Sequence, residues 1–254
     1  MTRLTPAERL LLNLGLDKPE AIDLEAVAAD QGVFVRYREM DGCEARIVGD
    51  ERRAIVSINS KSRSTRQRFS LAHELGHWQH HRGRCLFCDA SQIGNPGSTE
   101  LDPERQADDF ASDLVLPTFM LHPMLSKLGK VTVERASSIA DAFDVSLTAT
   151  LLKIVGSGRF PIMLVCHSSE KRLWFRRADR TQRWWFPRQD LDEESFAYGM
   201  LFRNAASEPM PRRMPAEAWF TFKGCDRHEV TEQSIHLPGE RLLTILTLPD
   251  AAME

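Results

Sequence analysis

The stretch between Thr65 and His81 constrains the fold more than any other part of this sequence, because its helical periodicity is built from unusual residues. One set of positions, spaced three and four apart as on one helical face, carries small residues, an aromatic ring and three imidazoles: Phe69, Ala72, His73, Gly76, His77 and His80. An ordinary core helix would carry leucines there. Because unpartnered imidazoles are costly inside a protein, the pattern predicts a helix, closed by Gly83, whose inward face holds a polar site.

The same helix contains an H-E-x-x-H pattern, His73-Glu74-Leu75-Gly76-His77. Side chains four residues apart lie about 5–6 Å apart on one helical face, so two imidazoles can reach one zinc ion. The glutamate between them can act on a water at the metal, and Glu74 is therefore the predicted general base. The alternative is a chance match with two surface histidines, but the small and apolar residues on this face favour a buried metal site.

A catalytic zinc ion takes three protein ligands, so a third ligand is expected from another element. The sequence Asp102-Pro103-Glu104 has the cap, the proline and the acidic first turn of a second helix. Glu104 is the predicted third ligand. Its acidic neighbours Asp102, Asp108 and Asp109 are the alternatives, and a first-turn carboxylate can also serve only the helix dipole. Asp108, one turn further along, is predicted to accept a hydrogen bond from a ligand imidazole.

Composition narrows the class of protein. With 254 residues, 42% hydrophobic and 27% charged, the chain can bury one large core or two modest ones, which excludes disordered, collagen-like and coiled-coil proteins. It lacks both the apolar run of about 18 residues that spans a membrane and a signal peptide, so a cytoplasmic protein without membrane contact is expected. The net charge of -3 argues against extensive nucleic-acid binding.

The cysteines indicate a reducing compartment. Five is an odd number, which fits free thiols better than a disulfide framework. Cys85 and Cys88 lie in a predicted loop over residues 83–101 and are interpreted as free thiols. A second metal site or a redox pair is the alternative for these two residues.

The order of predicted elements indicates an α+β fold in three parts. Residues 1–125 alternate helices, capped at Thr5, Asp23 and Asp102, with strands at 33–37 and 54–58. Residues 126–157 form a predicted helix-turn-helix-like pair. Residues 158–254, beyond a Gly-Ser-Gly boundary, form a strand-rich module, with strands expected at 160–166, 172–175, 219–222 and 242–248 and a helix near 193–202.

Two segments carry a family resemblance. Residues 66–77, Arg-Gln-Arg-Phe-Ser-Leu-Ala-His-Glu-Leu-Gly-His, and residues 104–117, Glu-Arg-Gln-Ala-Asp-Asp-Phe-Ala-Ser-Asp-Leu-Val-Leu-Pro, resemble the ImmA/IrrE family of bacterial metallopeptidases. The resemblance covers about Pro6 to Ile154. It implies a zincin-like domain with a gluzincin-type site, in which His73, His77 and Glu104 hold the metal and Glu74 is the catalytic base. Zn²⁺ is the expected metal, with Mn²⁺ as the alternative. Asp108 stands where the family more often has asparagine.

The resemblance also implies a function. Family members cut helix-turn-helix repressors of the xenobiotic-response-element (XRE) type after stress or DNA damage, so that the repressed genes are expressed. The order of peptidase, helix-turn-helix and C-terminal module resembles the IrrE branch, which regulates the response to radiation and desiccation and whose last module is GAF-like. The last hundred residues match no motif, so a GAF-like sensor or partner-binding module is expected from the domain order alone.

The alternative function is a DNA- or repressor-binding transcriptional regulator whose peptidase-like domain does not cut. Direct DNA binding by the helical pair is not expected, because its second helix offers Lys153 as its only cation. A basic cluster in the C-terminal module, interleaved with tryptophans, could bind nucleic acid or a small anionic ligand: Lys171, Arg172, Arg176, Arg177, Arg180, Arg183 and Arg188, with Trp174, Trp184 and Trp185. The competing interpretation is a solvated hairpin whose tryptophans pack inward.

Overall fold

A computed structural model of the chain describes residues 4–82, 86–89, 102–206 and 210–254, the segment 86–89 by its backbone alone. The chain divides into two compact units. The N-terminal unit comprises Met1–Lys127 with Ile139–Ser146, and the C-terminal unit comprises Leu128–Ser138 with Leu147–Glu254. The fold is mixed α+β, as predicted. The predicted domain boundaries after residues 125 and 157 stay predictions.

The N-terminal unit contains a four-stranded sheet in the order β1-β3-β2-β4, formed by Val33–Arg38 (β1), Cys43–Gly49 (β2), Ala54–Asn59 (β3) and Leu86–Asp89 (β4). Strand β1 runs parallel to β3, whereas β2 is antiparallel to both β3 and β4. The strands expected at 33–37 and 54–58 are confirmed. Strand β4 lies inside the predicted loop, so that part of the prediction is wrong: main-chain pairing with the distant β2 forms a strand that local composition does not reveal.

The helices of the N-terminal unit are Pro6–Asn13 (α1), Leu24–Asp30 (α2), Ser64–His80 (α3), Pro103–Val115 (α4) and Thr118–Ser126 (α5). The predicted caps at Thr5, Asp23 and Asp102 all accept hydrogen bonds from first-turn amides. Helix α5 is not among the elements expected from the sequence. Its start is stabilised by the buried carboxylate of Glu8, which accepts a 2.7 Å hydrogen bond from the amide of Thr118.

The predicted helical pair is present as Val133–Phe143 (α6) and Leu147–Gly156 (α7). Between the two helices Asp144 adopts a left-handed conformation with φ of 51°, one that Asp tolerates better than most residues. Among the described residues, no helix is long and apolar enough to cross a membrane.

The C-terminal unit contains a five-stranded antiparallel sheet in the order β6-β5-β9-β8-β7. The strands of this unit are Ile162–His167 (β5), Arg172–Arg177 (β6), Arg212–Pro215 (β7), Glu229–Leu237 (β8) and Arg241–Thr247 (β9), and helix Phe196–Phe202 (α8) lies between β6 and β7 in the chain.

The strand expected at residues 219–222 is wrong. Trp219 and Phe220 follow a single 3-10 turn, in which the amides of both residues donate to the carbonyl oxygen of Ala216 at 2.9 Å. Consecutive side chains of a strand point to opposite faces, whereas this turn allows both rings to enter the core, where they are 1% and 0% exposed. Two adjacent aromatic residues in a buried turn therefore resemble a strand in sequence.

Candidate metal centre

Close packing of α3 against α4 creates the site. Gly76 makes this approach possible, since a Cβ atom placed on it would lie 2.7 Å from the Cα and 2.8 Å from the carbonyl oxygen of Ala107. Real Cβ atoms do not approach a backbone so closely, so no larger residue fits without moving one helix. Helix α4 therefore lies near enough to present its first turn to the histidines of α3.

Helix α3 is buried around its whole circumference between Ser70 and Trp78. The predicted burial of His73 and His77 is confirmed at 0% and 1% exposure. The predicted inward position of His80 is wrong, because the last turn of α3 leaves the core and His80 is exposed. Its ring instead contacts the edge of Phe110, with 5.7 Å between ring centroids.

Three potential ligand groups converge in the interior. The Nε2 atoms of His73 and His77 are 3.0 Å apart. Each lies 3.3 Å from an oxygen of Glu104, His73 from Oε2 and His77 from Oε1. A tetrahedral zinc ion with bonds of about 2.0–2.1 Å holds its donor atoms about 3.3 Å apart. The donor set therefore matches both the chemistry and the spacing of a small divalent metal ion.

Asp108 orients one of these imidazoles. Its Oδ1 atom lies 2.8 Å from Nδ1 of His73, on the side of the ring away from Glu104. A carboxylate in this position accepts a hydrogen bond from Nδ1–H of His73. The proton therefore stays on Nδ1, and the lone pair is on Nε2. The structure thus brings Asp108 to the contact that the sequence predicted for it.

The electrostatics of the site favour positive charge at its centre. Burial opposes protonation of His73, but hydrogen bonds to Asp108 and Glu104 and the charge of Glu74 outweigh it and raise the pKa of His73 to about 9. Hydrogen bonds from His73 and His77 lower the pKa of Glu104 to about 2. Glu104 therefore stays ionised beside two nitrogen donors, the arrangement that a cation requires.

Glu74 is 0% exposed and lies on α3 between the two histidines in sequence. Its charge acts on His73, which places it in the immediate electrostatic environment of the cluster. These observations are compatible with the predicted role of Glu74 as a general base.

The alternative third ligands lie elsewhere. Asp102 caps α4 by accepting a 3.0 Å hydrogen bond from the amide of Glu104. The side chain of Asp109 is 75% exposed and faces Arg105. In the described parts of the chain, the only group of three His, Cys, Asp or Glu residues with metal-binding spacing is His73, His77 and Glu104, whose ligand atoms all lie within 4.8 Å of one another. The side chains of Cys85 and Cys88 lie outside the described residues.

One neighbour of the site lies outside the set of inward positions predicted from the sequence. Nδ1 of His81 lies 3.4 Å from Nδ1 of His77, on the side opposite the convergence point. The regular spacing of His73, His77 and His81 at intervals of four is the signal that identifies it, because residues four apart share a helical face. The prediction places the adjacent His80 on this face instead.

Comparison with known proteins agrees with this geometry. The sequence model of the IrrE N-terminal-like domain (Peptidase_M78) matches residues 28–154. The chain belongs to this family. Peptidase_M78 is a family of metallopeptidases, and the predicted resemblance to ImmA/IrrE proteins is thereby confirmed.

A solved structure resembles almost the whole chain of this Peptidase_M78 member. It is described as a Mycobacterium tuberculosis transcriptional regulator and superposes with a TM-score of 0.59 at 15% sequence identity. The alignment covers 96% of this chain and 86% of the other. At this identity the likeness concerns the fold alone. No curated protein matches the sequence.

Proposed function

We propose that this protein is a metal-dependent endopeptidase that cleaves a helix-turn-helix repressor of the XRE type and so switches on stress or DNA-damage response genes. The observation that carries the proposal is the convergence of His73, His77 and Glu104 at 3.0–3.3 Å, with the buried Glu74 beside them. Membership of a metallopeptidase family supports it. In this proposal the N-terminal unit is a zincin-like domain.

The metal ligands are His73, His77 and Glu104, and Asp108 holds the His73 ring in the tautomer that binds metal. Two imidazoles and one carboxylate suit Zn²⁺, and Mn²⁺ is the alternative. A bound divalent ion would supply an open coordination position, lower the pKa of a water molecule and polarise the scissile carbonyl. Glu74 accepts the proton of the attacking water on its carboxylate and delivers it to the leaving amine. Burial of this carboxylate keeps bulk water from competing for that proton.

The remaining parts of the chain are assigned from domain order. Helices α6 and α7 form the helix-turn-helix-like segment of residues 126–157, and the five-stranded sheet belongs to a GAF-like sensor or partner-binding module of residues 158–254. This module takes a small-molecule or anionic ligand. The repressor is the macromolecular partner, as the family resemblance implies.

Contacts of the basic cluster support the hairpin interpretation over nucleic-acid binding. Nη1 of Arg177 donates to the carbonyl oxygen of Arg183 at 3.1 Å. Nε of Arg180 donates to the main-chain oxygen of Glu254 at 2.9 Å. Nε of Arg188 donates to the main-chain oxygen of Glu217, also at 2.9 Å. These guanidinium groups hold loops together, and Trp185 packs inward at 1% exposure, whereas Trp184 is exposed. Direct DNA binding is therefore not proposed.

The alternative remains a regulator that binds the repressor or DNA without cutting. The description of the similar solved structure as a transcriptional regulator favours it. Incubating the protein with a candidate XRE-type repressor, with and without a chelator, separates the two functions. We expect metal-dependent cleavage by the wild type and none by Glu74→Gln. A stable complex without cleavage, in the presence of Zn²⁺ or Mn²⁺, would establish the alternative.

A further inference from the structure

The C-terminal unit contains an open cleft of about 410 Å³ that takes no part in the proposed peptidase reaction. Its lining comes from the start of β6, from the segment that follows this strand and from the turn after Phe220, and includes Arg172, Trp184, Phe186, Arg188, Asp190 and Phe222. Small-molecule sites have volumes of about 300–1,000 Å³, so the cleft is of a size to hold one. We call it the aromatic cleft.

Two large rings of the aromatic cleft are open to solvent. Trp184 is 54% exposed and Phe186 is 52% exposed, whereas the residue between them, Trp185, is 1% exposed. The segment therefore alternates inward and outward side chains, and the outward positions carry aromatic rings instead of the usual polar groups. Exposed rings gathered at one concave surface indicate a binding site for a planar apolar group.

Arg172 places a fixed positive charge against one of these rings, that of Phe186. Its guanidinium carbon lies 4.7 Å from the ring centre of Phe186, and its Nη1 donates to the carbonyl oxygens of Pro187 and Arg188. In the described structure these bonds use Nη1 alone, so Nε and Nη2 of this held guanidinium keep donors for an anion. With two arginines and one aspartate, the lining has a net charge of +1.

A buried histidine adjoins the same lining. His167 pairs with Arg172 in the β5–β6 register and is 1% exposed. Its ring lies against the main chain of Arg188 and Gln189, which act on it as hydrogen-bond partners. The groups that act on its charge belong to Arg172, Asp190, Gln189 and Arg188, all of which line the cleft. His167 therefore packs behind the lining and does not itself face the cleft.

We propose that the aromatic cleft binds a planar aromatic anion, whose ring lies against Trp184 and Phe186 and whose negative group meets Arg172. Rings alone would accept any apolar compound, and an arginine alone would accept any anion. Their combination in one cleft selects a molecule that has both features. The inference deepens the ligand-binding role proposed for the C-terminal module, and it does not depend on catalysis at the metal centre.

Calorimetric titration of the full-length protein tests the inference with four probes. Adenosine monophosphate and benzoate are aromatic anions from two sources, adenosine is the neutral ring and inorganic phosphate is the anion alone. We expect at least one aromatic anion to bind tenfold or more tightly than both adenosine and phosphate. If neither does so, the inference is wrong.

Matched variants test whether the aromatic anion binds in the aromatic cleft. Phe186→Ala and Arg172→Gln should each weaken the aromatic anion tenfold or more. Phe202→Ala, at a phenylalanine that is 48% exposed on α8, and Arg213→Gln, at an arginine of β7 whose side chain is 80% exposed, lie outside the lining and should leave affinity unchanged. Because Arg172 also holds main-chain carbonyls, Phe186→Ala is the decisive variant. Undiminished binding by it would overturn the assignment.

The peptidase proposal and this inference can fail separately. Glu74→Gln should bind the aromatic anion as the wild type does, and Phe186→Ala should bind metal as the wild type does. A protein that cleaves the repressor but binds none of the four probes would refute the aromatic cleft alone. A protein that binds the aromatic anion but never cleaves would refute the peptidase alone.

Discussion

The buried histidines of the two units lie in opposite electrostatic surroundings. His73 of the N-terminal unit is 0% exposed and has carboxylate oxygens at 2.8 and 3.3 Å, so its pKa rises to about 9 although burial alone would lower it. His167 of the C-terminal unit is 1% exposed. Burial and then the charge of Arg172 lower its pKa to about 4. Nearly equal burial thus gives shifts of opposite sign.

The difference shows what each environment is suited to do. Carboxylates around His73 and His77 stabilise positive charge, which a divalent metal ion provides more strongly than a proton does. The surroundings of His167 exclude positive charge, so this ring stays neutral near pH 7 and offers one donor and one acceptor. A buried histidine therefore indicates a metal site only when anionic groups lie at hydrogen-bond distance from it.

The largest expected effect is on catalysis at the metal centre. Glu74→Gln removes the group that moves the proton while leaving His73, His77 and Glu104 in place. We expect kcat/KM for repressor cleavage to fall by about 10³–10⁴-fold, with metal content unchanged. The assay is gel-based cleavage of the repressor, with metal measured by atomic spectroscopy. Glu134→Gln, at an exposed glutamate of α6, is the control. Retention of activity by Glu74→Gln would contradict the assigned base.

The next effect concerns the packing that brings Glu104 to the histidines. Gly76→Ala places a Cβ atom 2.7 Å from the backbone of Ala107, which no rotamer change can relieve. We expect a net loss of about 2–3 kcal/mol in the free energy of unfolding, despite the gain of about 1 kcal/mol that alanine brings within a helix. Metal affinity should fall as well, because α4 must move away from α3.

The chain provides a matched control for this substitution. A Cβ atom added to Gly156, at the end of α7, would meet nothing within 4 Å, so Gly156→Ala should change stability by less than about 1 kcal/mol. Urea unfolding followed by circular dichroism compares the two variants. Equal effects of Gly76→Ala and Gly156→Ala would show that the close approach of α3 and α4 is not needed.

The parts of the fold and the site that depend on local sequence were predictable. Asp102 caps α4 as predicted. The buried residues of α4 recur three and four apart, as the helical repeat requires: Ala107, Phe110, Ala111, Leu114 and Val115. The spacing of His73 and His77 follows from the helical repeat alone. Glu104 was predicted as a ligand because the capped helix start placed an acidic residue in its first turn.

The remaining features depend on contacts between distant parts of the chain. Strand β2 contains the charged residues Glu44 and Arg46 and has no clear alternation, but its main chain pairs with β3 and β4 on its two sides. The exposure of His80 depends on where the core ends and not on helical spacing. The aromatic cleft combines residues 172, 184, 186–190 and 221–222. The sequence pattern singles out Arg172, Trp184 and Arg188, but it does not indicate that Phe222 lies beside them.

A smaller effect is expected where the surroundings of His73 are altered without removing a ligand. Asp108→Ala removes the acceptor at 2.8 Å from Nδ1 and should weaken metal binding by about 10–100-fold. Asp108→Asn keeps an oxygen that can accept the same proton, so its affinity should stay within a few-fold of wild type. Asp109→Ala, at a side chain that is 75% exposed, is the control. Competition with a fluorescent chelator measures all three, and an Asp108→Ala affinity equal to that of Asp109→Ala would remove Asp108 from the site.

The smallest expected effect concerns His167 and the pH dependence of the free energy of unfolding. The unfolded chain protonates His167 near pH 6.5, whereas the folded protein does so only near its lowered pKa of about 4. Between these two pH values the unfolded state binds more protons than the folded state. The free energy of unfolding is therefore highest above pH 6.5 and decreases as the pH falls towards 4. The cost should reach about 1 kcal/mol at pH 5.5. His167→Gln should flatten this slope in urea unfolding followed by tryptophan fluorescence, and the exposed His236→Gln should not. If both variants keep the wild-type slope, burial of His167 does not set it.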